Sequence, residues 1–194
     1  PHGSTQELTE ALEARIGELG YNLDTWAGRH SDRRARAIVE NLASYLVGVP
    51  GRVDVEQKVE AQVEGVTIRG RMDRLEYVDE GVRVTDLKTG GNSDPYRKVD
   101  ENAQLAAYQL ALLASGEDVA GARIALLGTK KKPQTFDQKP LQGEALAQWR
   151  NKVREVAESA RGPYFEARPS DAACAYCSFD RLCPARERGH KVVE

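Results

Sequence analysis

Residues 67–88, TIRGRMDRLEYVDEGVRVTDLK, decide the fold. Asp79-Glu80-Gly81 supplies a tight hairpin turn, with one strand predicted from about Thr67 to Val78 and its return from Val82 to Lys88. Just upstream the alternation is strict. Val53, Val55, Val59, Ala61 and Val63 are expected on one face of a first strand, with Asp54, Glu56, Lys58, Glu60 and Gln62 on the other. Gly65 then turns the chain into the second strand. Working outward, residues 5–20 read as weakly helical and the polar stretch to about residue 30 as turn-like. Ser31 is the expected cap of a helix carrying Ala35, Ile38, Leu42 and Leu46, stopped before Gly48 and Pro50. Downstream, a polar loop begins at Gly90-Gly91 and passes Pro95, and a helix is predicted from Glu101 to Ser115. Ile124 to Leu127 has the length of a buried strand, and Phe136 fits an edge strand after the turn at Lys130-Lys131-Lys132-Pro133. Glu144 to Arg161 is the last predicted helix, followed by a Pro- and Cys-containing tail. This order predicts a mixed β-sheet flanked by helices, an α/β fold.

The chain has 194 residues and a net charge of −2, which suits a globular domain and argues against a uniformly basic nucleic-acid binder. No apolar run approaches a membrane span, and no secretory leader is legible at the start. Pro1 to Ser4 reads as a leading remnant, residues 5–170 as the core and 171–194 as a tail of the same domain. No Gly-x-x-x-x-Gly-Lys-Ser/Thr occurs, so no phosphate-cradling loop is expected. The three cysteines, Cys174, Cys177 and Cys183, lie within ten residues, a spacing that suits a shared metal better than disulfides. A reducing cytoplasm is the expected location.

The return strand carries the most informative chemistry. Alternation puts Asp86 and Lys88 on one side with Val82 and Val84, while Leu87 points away. Asp73 lies on the neighbouring strand. Two carboxylates converging at a sheet end can hold Mg²⁺ or Mn²⁺, which favour oxygen ligands, and such an ion polarises a phosphodiester and acidifies water. A lysine held beside them can stabilise charge developing on the phosphate. Taken alone, Asp-x-Lys on a strand also describes an ordinary surface ion pair.

Three motifs follow in order: Gly70-Arg71-Met72-Asp73-Arg74, Val84-Thr85-Asp86-Leu87-Lys88-Thr89-Gly90, and Gln104-Leu105-Ala106-Ala107-Tyr108. This order resembles the PD-(D/E)xK nuclease superfamily, specifically the RecB-like nuclease domains of bacterial helicase–nucleases of the AddAB and AdnAB type. The resemblance implies a restriction-endonuclease-like core, with Asp73 and Asp86 as metal ligands, the Leu87 carbonyl as a backbone ligand and Lys88 as a catalytic residue. It makes Gln104 and Tyr108 a further pair at the site, and four residues of spacing places them on one helix face. Glu56 resembles an additional acidic metal position, with Glu60 as its rival on the same strand face.

The same resemblance extends to the tail. Cys174-x-x-Cys177 with Cys183-Pro184 is similar to the cysteine triplet that, with one upstream thiolate, holds a [4Fe–4S] cluster in this branch. That upstream cysteine has no counterpart here. Nor does the family's Gly-x-x-x-His helix pattern, since His2, His30 and His190 stand in other contexts, His30 in the polar turn. A fragment beginning downstream of both is the simplest expectation, and Zn²⁺ on the three cysteines and His190 is a lesser alternative. Lys130 to Lys132, and Arg29 with Arg33, Arg34 and Arg36, are the local positive clusters; each reads either as a solvated face or as a track for phosphates. The resulting expectation is a nuclease acting on single-stranded DNA, partnered by a helicase domain and a second subunit in double-strand-break processing, with no membrane association. Its alternatives are a catalytically silent module for DNA binding or assembly, and a stand-alone phage or CRISPR-associated exonuclease of the same superfamily.

Overall fold

The computed structural model describes residues 4–18, 20, 22–49, 51–129, 131–163 and 167–185. The chain divides into two compact units, Pro1–Val153 and Arg154–Glu194. The first contains a five-stranded sheet in sequential order: β1 (Val53–Val63), β2 (Val66–Val78), β3 (Gly81–Lys88), β4 (Val119–Leu126) and β5 (Gln134–Gln138). β1 to β3 form an antiparallel meander, β4 lies parallel to β3, and β5 returns antiparallel to β4. The sheet is therefore mixed and flanked by helices, as the sequence predicts. Its one parallel pair requires a crossover, which α3 (Ala103–Ala114) provides.

Alternate residues of the central strands pack against different helices. Val82, Val84, Ala122 and Ile124 join Leu105 and Leu112 of α3 in one apolar cluster. Leu87, Ala125 and Leu127 join Tyr45 and Leu46 of α2 (Trp26–Val47) in another. α3 is apolar nearly all round because a second face meets Leu146, Trp149 and Val153 of α4 (Gly143–Arg161). It starts at Ala103 rather than Glu101 because the Asn102 side chain accepts the Leu105 N–H, leaving Val99–Glu101 as a 3₁₀ turn.

Four expectations are corrected. The long helix begins at Trp26, where the Thr25 hydroxyl accepts the Gly28 N–H, so Ser31 is helix interior and the polar stretch is a turn only as far as Thr25 and helical from Trp26 on. His30 accordingly sits on α2, not in a turn. β4 begins at Val119, well before Ile124, and contains Gly121 at a φ of 117°. The alternation of β1 is also interrupted. Val59, Ala61 and Val63 are buried, but Val55 is 48% exposed. The register runs from Val55↔Arg74 to Gln57↔Met72, leaving Glu56 and Asp73 opposite one another outside the ladder. Glu56 has a φ of 53°, left-handed backbone that side chains other than glycine seldom adopt. Side-chain parity resets there on β2 too, because Met72 and Leu75 enter the same core cluster although they are three positions apart.

The N-terminal helix α1 (Thr5–Arg15) starts with a capping box, Ser4 and Glu7 each accepting the other's backbone N–H. In the second unit a short helix, α5 (Asp171–Cys174), precedes a series of turns.

Candidate active site

The β2–β3 register gives Asp73 its place in the geometry. Released from the β1 ladder, it lies at the end of the β2–β3 ladder, whose last pair is Arg74↔Thr85. Its Oδ2 accepts the Leu87 N–H at 2.8 Å, so a side chain replaces the backbone acceptor that a longer ladder would offer. That bond fastens Asp73 beside the strand carrying Asp86 and Lys88. The Leu87 side chain packs on the α2 face, as alternation requires.

Asp86 is 4% exposed. Its Oδ1 accepts from Gln104 Nε2 at 2.8 Å, and its Oδ2 faces the Lys88 ammonium at 2.7 Å. Oδ2 is buried, and its contact with the ammonium is a close ion pair rather than a well-aligned hydrogen bond. Burial pushes the Asp86 carboxyl above the ordinary range, outweighing the hydrogen bond and charge of Lys88, and the charge of Asp73 acts in the same direction. Burial by itself would lower the Lys88 ammonium, but the bond and charge of Asp86 outweigh it and hold Lys88 high. The lysine therefore stays protonated and is available as a cation.

α3 completes the cluster. Gln104 Nε2 lies 3.4 Å from the Tyr108 hydroxyl, and Lys88 Nζ lies 3.5 Å from Gln104 Oε1. The Tyr108 hydroxyl donates to the Arg71 carbonyl at 2.8 Å, joining the helix to β2. Gly70 is needed for this approach: a Cβ built there would stand 2.8 Å from Tyr108 Cε1. The three motifs thus interlock through a glycine, a ring and a carbonyl. The Arg71 carbonyl was not foreseen, because no side-chain pattern signals a backbone acceptor.

Oxygen donors from Asp73 and Asp86 match Mg²⁺ or Mn²⁺, and the buried Oδ2 of Asp86, which has only the off-axis ammonium contact, is the kind of atom such an ion satisfies. Glu56 is not brought to this pair. Its carboxylate is turned to Arg71 at 3.4 Å, and Glu60 is turned to Arg69 at 3.0 Å. Cys174, Cys177 and Cys183 are free thiols, and the Cys177 N–H bonds to the Cys174 carbonyl. Among the described residues no three His, Cys, Asp or Glu side chains are gathered to hold an ion, so the thiols as placed do not fit a four-thiolate cluster. His2, His190 and Lys130 lie outside the described residues. Of the α2 arginines, Arg36 is engaged by Glu13 and Asp32, Arg29 by the Leu23 and Asp24 carbonyls, and Arg34 by the Thr89 carbonyl. Among the described residues, no helix is long and apolar enough to cross a membrane.

The model of the PD-(D/E)XK nuclease superfamily matches residues 2–184. The chain belongs to this superfamily. A PD-(D/E)XK assignment agrees with the mixed sheet and with the order of the three motifs along it. The chain is also 26% identical over 183 residues to the Gene 69 protein of Mycobacterium phage D29, covering 82% of this chain and 64% of that protein. It thus spans somewhat less than two thirds of that relative's length. Among solved structures, SSO0001 aligns with a TM-score of 0.48 at 18% identity, covering 92% of this chain and 96% of that one. A protein from Eubacterium rectale provisionally named an exonuclease aligns with a TM-score of 0.49 at 12% identity, covering 90% and 76%.

Proposed function

We propose that this PD-(D/E)XK chain hydrolyses phosphodiester bonds of DNA, with a divalent cation held by Asp73, Asp86 and the Leu87 carbonyl. The observation that carries the reading is the connected set Asp73, Asp86, Lys88, Gln104 and Tyr108 at one end of β3. A bound Mg²⁺ or Mn²⁺ would polarise the scissile phosphate and acidify an attacking water. Lys88, kept protonated by Asp86, offsets charge developing on the phosphate oxygens. Gln104 orients Asp86 through Oδ1, and Tyr108 holds Gln104 against β2. Single-stranded DNA is the proposed substrate. The proposed setting is a cytoplasmic helicase–nuclease that processes double-strand breaks, with the helicase domain and a second subunit as partners. The order of the three motifs supports that assignment.

A second reading is a stand-alone exonuclease of the same superfamily and chemistry, with which the phage origin of one relative agrees. One assay tests the shared chemistry: end-labelled single-stranded DNA with Mg²⁺ or Mn²⁺, beside an EDTA control and an Asp86→Ala variant. Cleavage is expected in the unaltered chain alone. Undiminished cleavage by Asp86→Ala would overturn the site, and no cleavage by any form would point to a silent module. The two settings separate by whether the full protein's DNA degradation depends on ATP.

A further inference from the structure

We propose that Trp26 and His30 form a stacking platform for an unpaired base of the DNA strand entering the site, a reading that rests on the nuclease function above. Trp26 is 70% exposed, although folding normally covers most of a tryptophan. Its ring lies nearly parallel to that of His30, with centroids 5.4 Å apart and planes 13° apart. The two residues are one turn apart on α2 and project from one face of it. Arg34 continues that face, and its Nη2 donates to the carbonyl of Thr89 at 3.2 Å, next in sequence to Lys88. Farther along α2, Asn41 bonds the Leu127 and Thr129 carbonyls and Tyr45 reaches Glu76 within the sheet. Passing from Tyr45 back to Arg34 therefore moves toward the end of β3, and the preceding turns of α2 run past it. At 1.5 Å of rise per residue the rings lie roughly 6–12 Å along the helix from Arg34. That is the end of the sheet at which Asp86 and Lys88 sit, with the rings on the α2 face and the two site residues on the α3 face, so a strand reaches both by passing around the end of β3.

Charge selects the occupant. Arg29 and Arg33 flank the rings on the exposed surface, and Arg33 has no partner among the described residues. The first turn of α2 holds no acidic residue, and Asp32 is tied to Arg36. An exposed aromatic pair bordered by guanidinium groups suits a nucleobase attached to phosphates. Paired bases within a duplex are already stacked and gain nothing from the rings, so the site favours a single strand.

The chain contains two tryptophans, and Trp149 packs in an apolar cluster beneath α3. In an Asp86→Ala, Trp149→Phe background, Trp26 is the sole indole, and its fluorescence is followed while single-stranded oligothymidylate is added. Saturable quenching is expected, with little from a blunt duplex of equal length. Trp26→Ala, measured by anisotropy of a labelled strand, should weaken single-strand affinity about tenfold, and Trp26→Phe should restore most of it. Absent quenching, unchanged affinity in Trp26→Ala, or equal quenching by duplex would each overturn the platform. Cleavage by the unaltered chain is scored separately. Cleavage without quenching removes the platform and keeps the nuclease reading, whereas quenching without cleavage does the reverse.

Discussion

Glu76 on β2 is completely buried on the face away from Asp86, and replacing it tests how the strands of the candidate site are held. Its Oε1 accepts from the Tyr45 hydroxyl at 2.6 Å and from Arg74 Nε at 3.0 Å. Its Oε2 accepts from Arg83 Nε and Nη2 at 3.0 and 2.9 Å. Burial pushes this carboxyl up, but the Tyr45 bond, then Arg83 and Arg74, outweigh it and hold the group below its ordinary 4.5. Tyr45 is pushed up to about 12 by burial and then by Glu76, so it remains a donor. Glu76→Ala leaves Tyr45 and Arg74, each 5% exposed, facing an empty space, and Arg74 Nη2 already lacks a partner. Breaking a buried pair from one side costs about 3–5 kcal/mol, a large share of the roughly 5–15 kcal/mol that holds a domain together. Glu76→Gln can still present an oxygen to Tyr45 and Arg74, while its amide confronts Arg83, which is partly exposed and can turn to water. The expected cost is then about 1–3 kcal/mol. Urea unfolding at pH 7 with a constant slope measures both. Equal losses in the two variants, or less than about 1 kcal/mol in Glu76→Ala, would refute the reasoning.

Further outcomes follow from the same contacts. Because the folded-state pKa of Glu76 is depressed, its stabilisation is complete above about 4.5 and is lost as pH falls below that value. The urea midpoint of the unaltered chain should therefore drop more steeply than that of Glu76→Gln as pH is lowered from 5 toward 3. Lys88→Met should lower the cleavage rate on the order of a hundredfold or more while leaving DNA affinity within a few-fold, read as a loss in kcat with little change in KM. Gly70→Ala should displace the Tyr108 ring from the Arg71 carbonyl and reduce cleavage as Tyr108→Phe does, at a stability cost of about 1–3 kcal/mol.

The legible parts of the fold were those where side-chain period and backbone conformation agree. The β2–β3 hairpin could be read because Asp79-Glu80-Gly81 interrupts two strand-like runs, and Gly81 does take a positive φ of 127°. β4 was shortened in the reading because Val119-Ala120-Gly121 lacks an apolar pattern, although parallel pairing with Val82 and Arg83 makes it a strand. The start of α2 was missed for a related reason: Trp26 to Arg34 is polar because one side meets solvent, and polarity resembles a turn. Least legible was the reset at Glu56 and Asp73. Valines continue on both sides of it, and only backbone geometry reveals that the alternation changes. The placement of Asp86 beside Lys88 was nevertheless readable, since parity on β3 is undisturbed and puts the two on one face.

The charge balance of the cluster agrees with the divalent cation proposed for it. The β2–β3 register, which ends at Arg74↔Thr85, sets Asp73 across from Asp86 on one face of the sheet. The Leu87 N–H pins this second carboxylate beside the first. Lys88 neutralises one of the two, and the Asp86 carboxyl is displaced upward partly because Asp73 is near. The surplus negative charge opposes an approaching phosphate in a place where solvent screens poorly. A divalent cation reverses the sign of that field, and Lys88 then adds to it. Glu56 stays outside this pair: its backbone is left-handed and its own carboxylate faces Arg71.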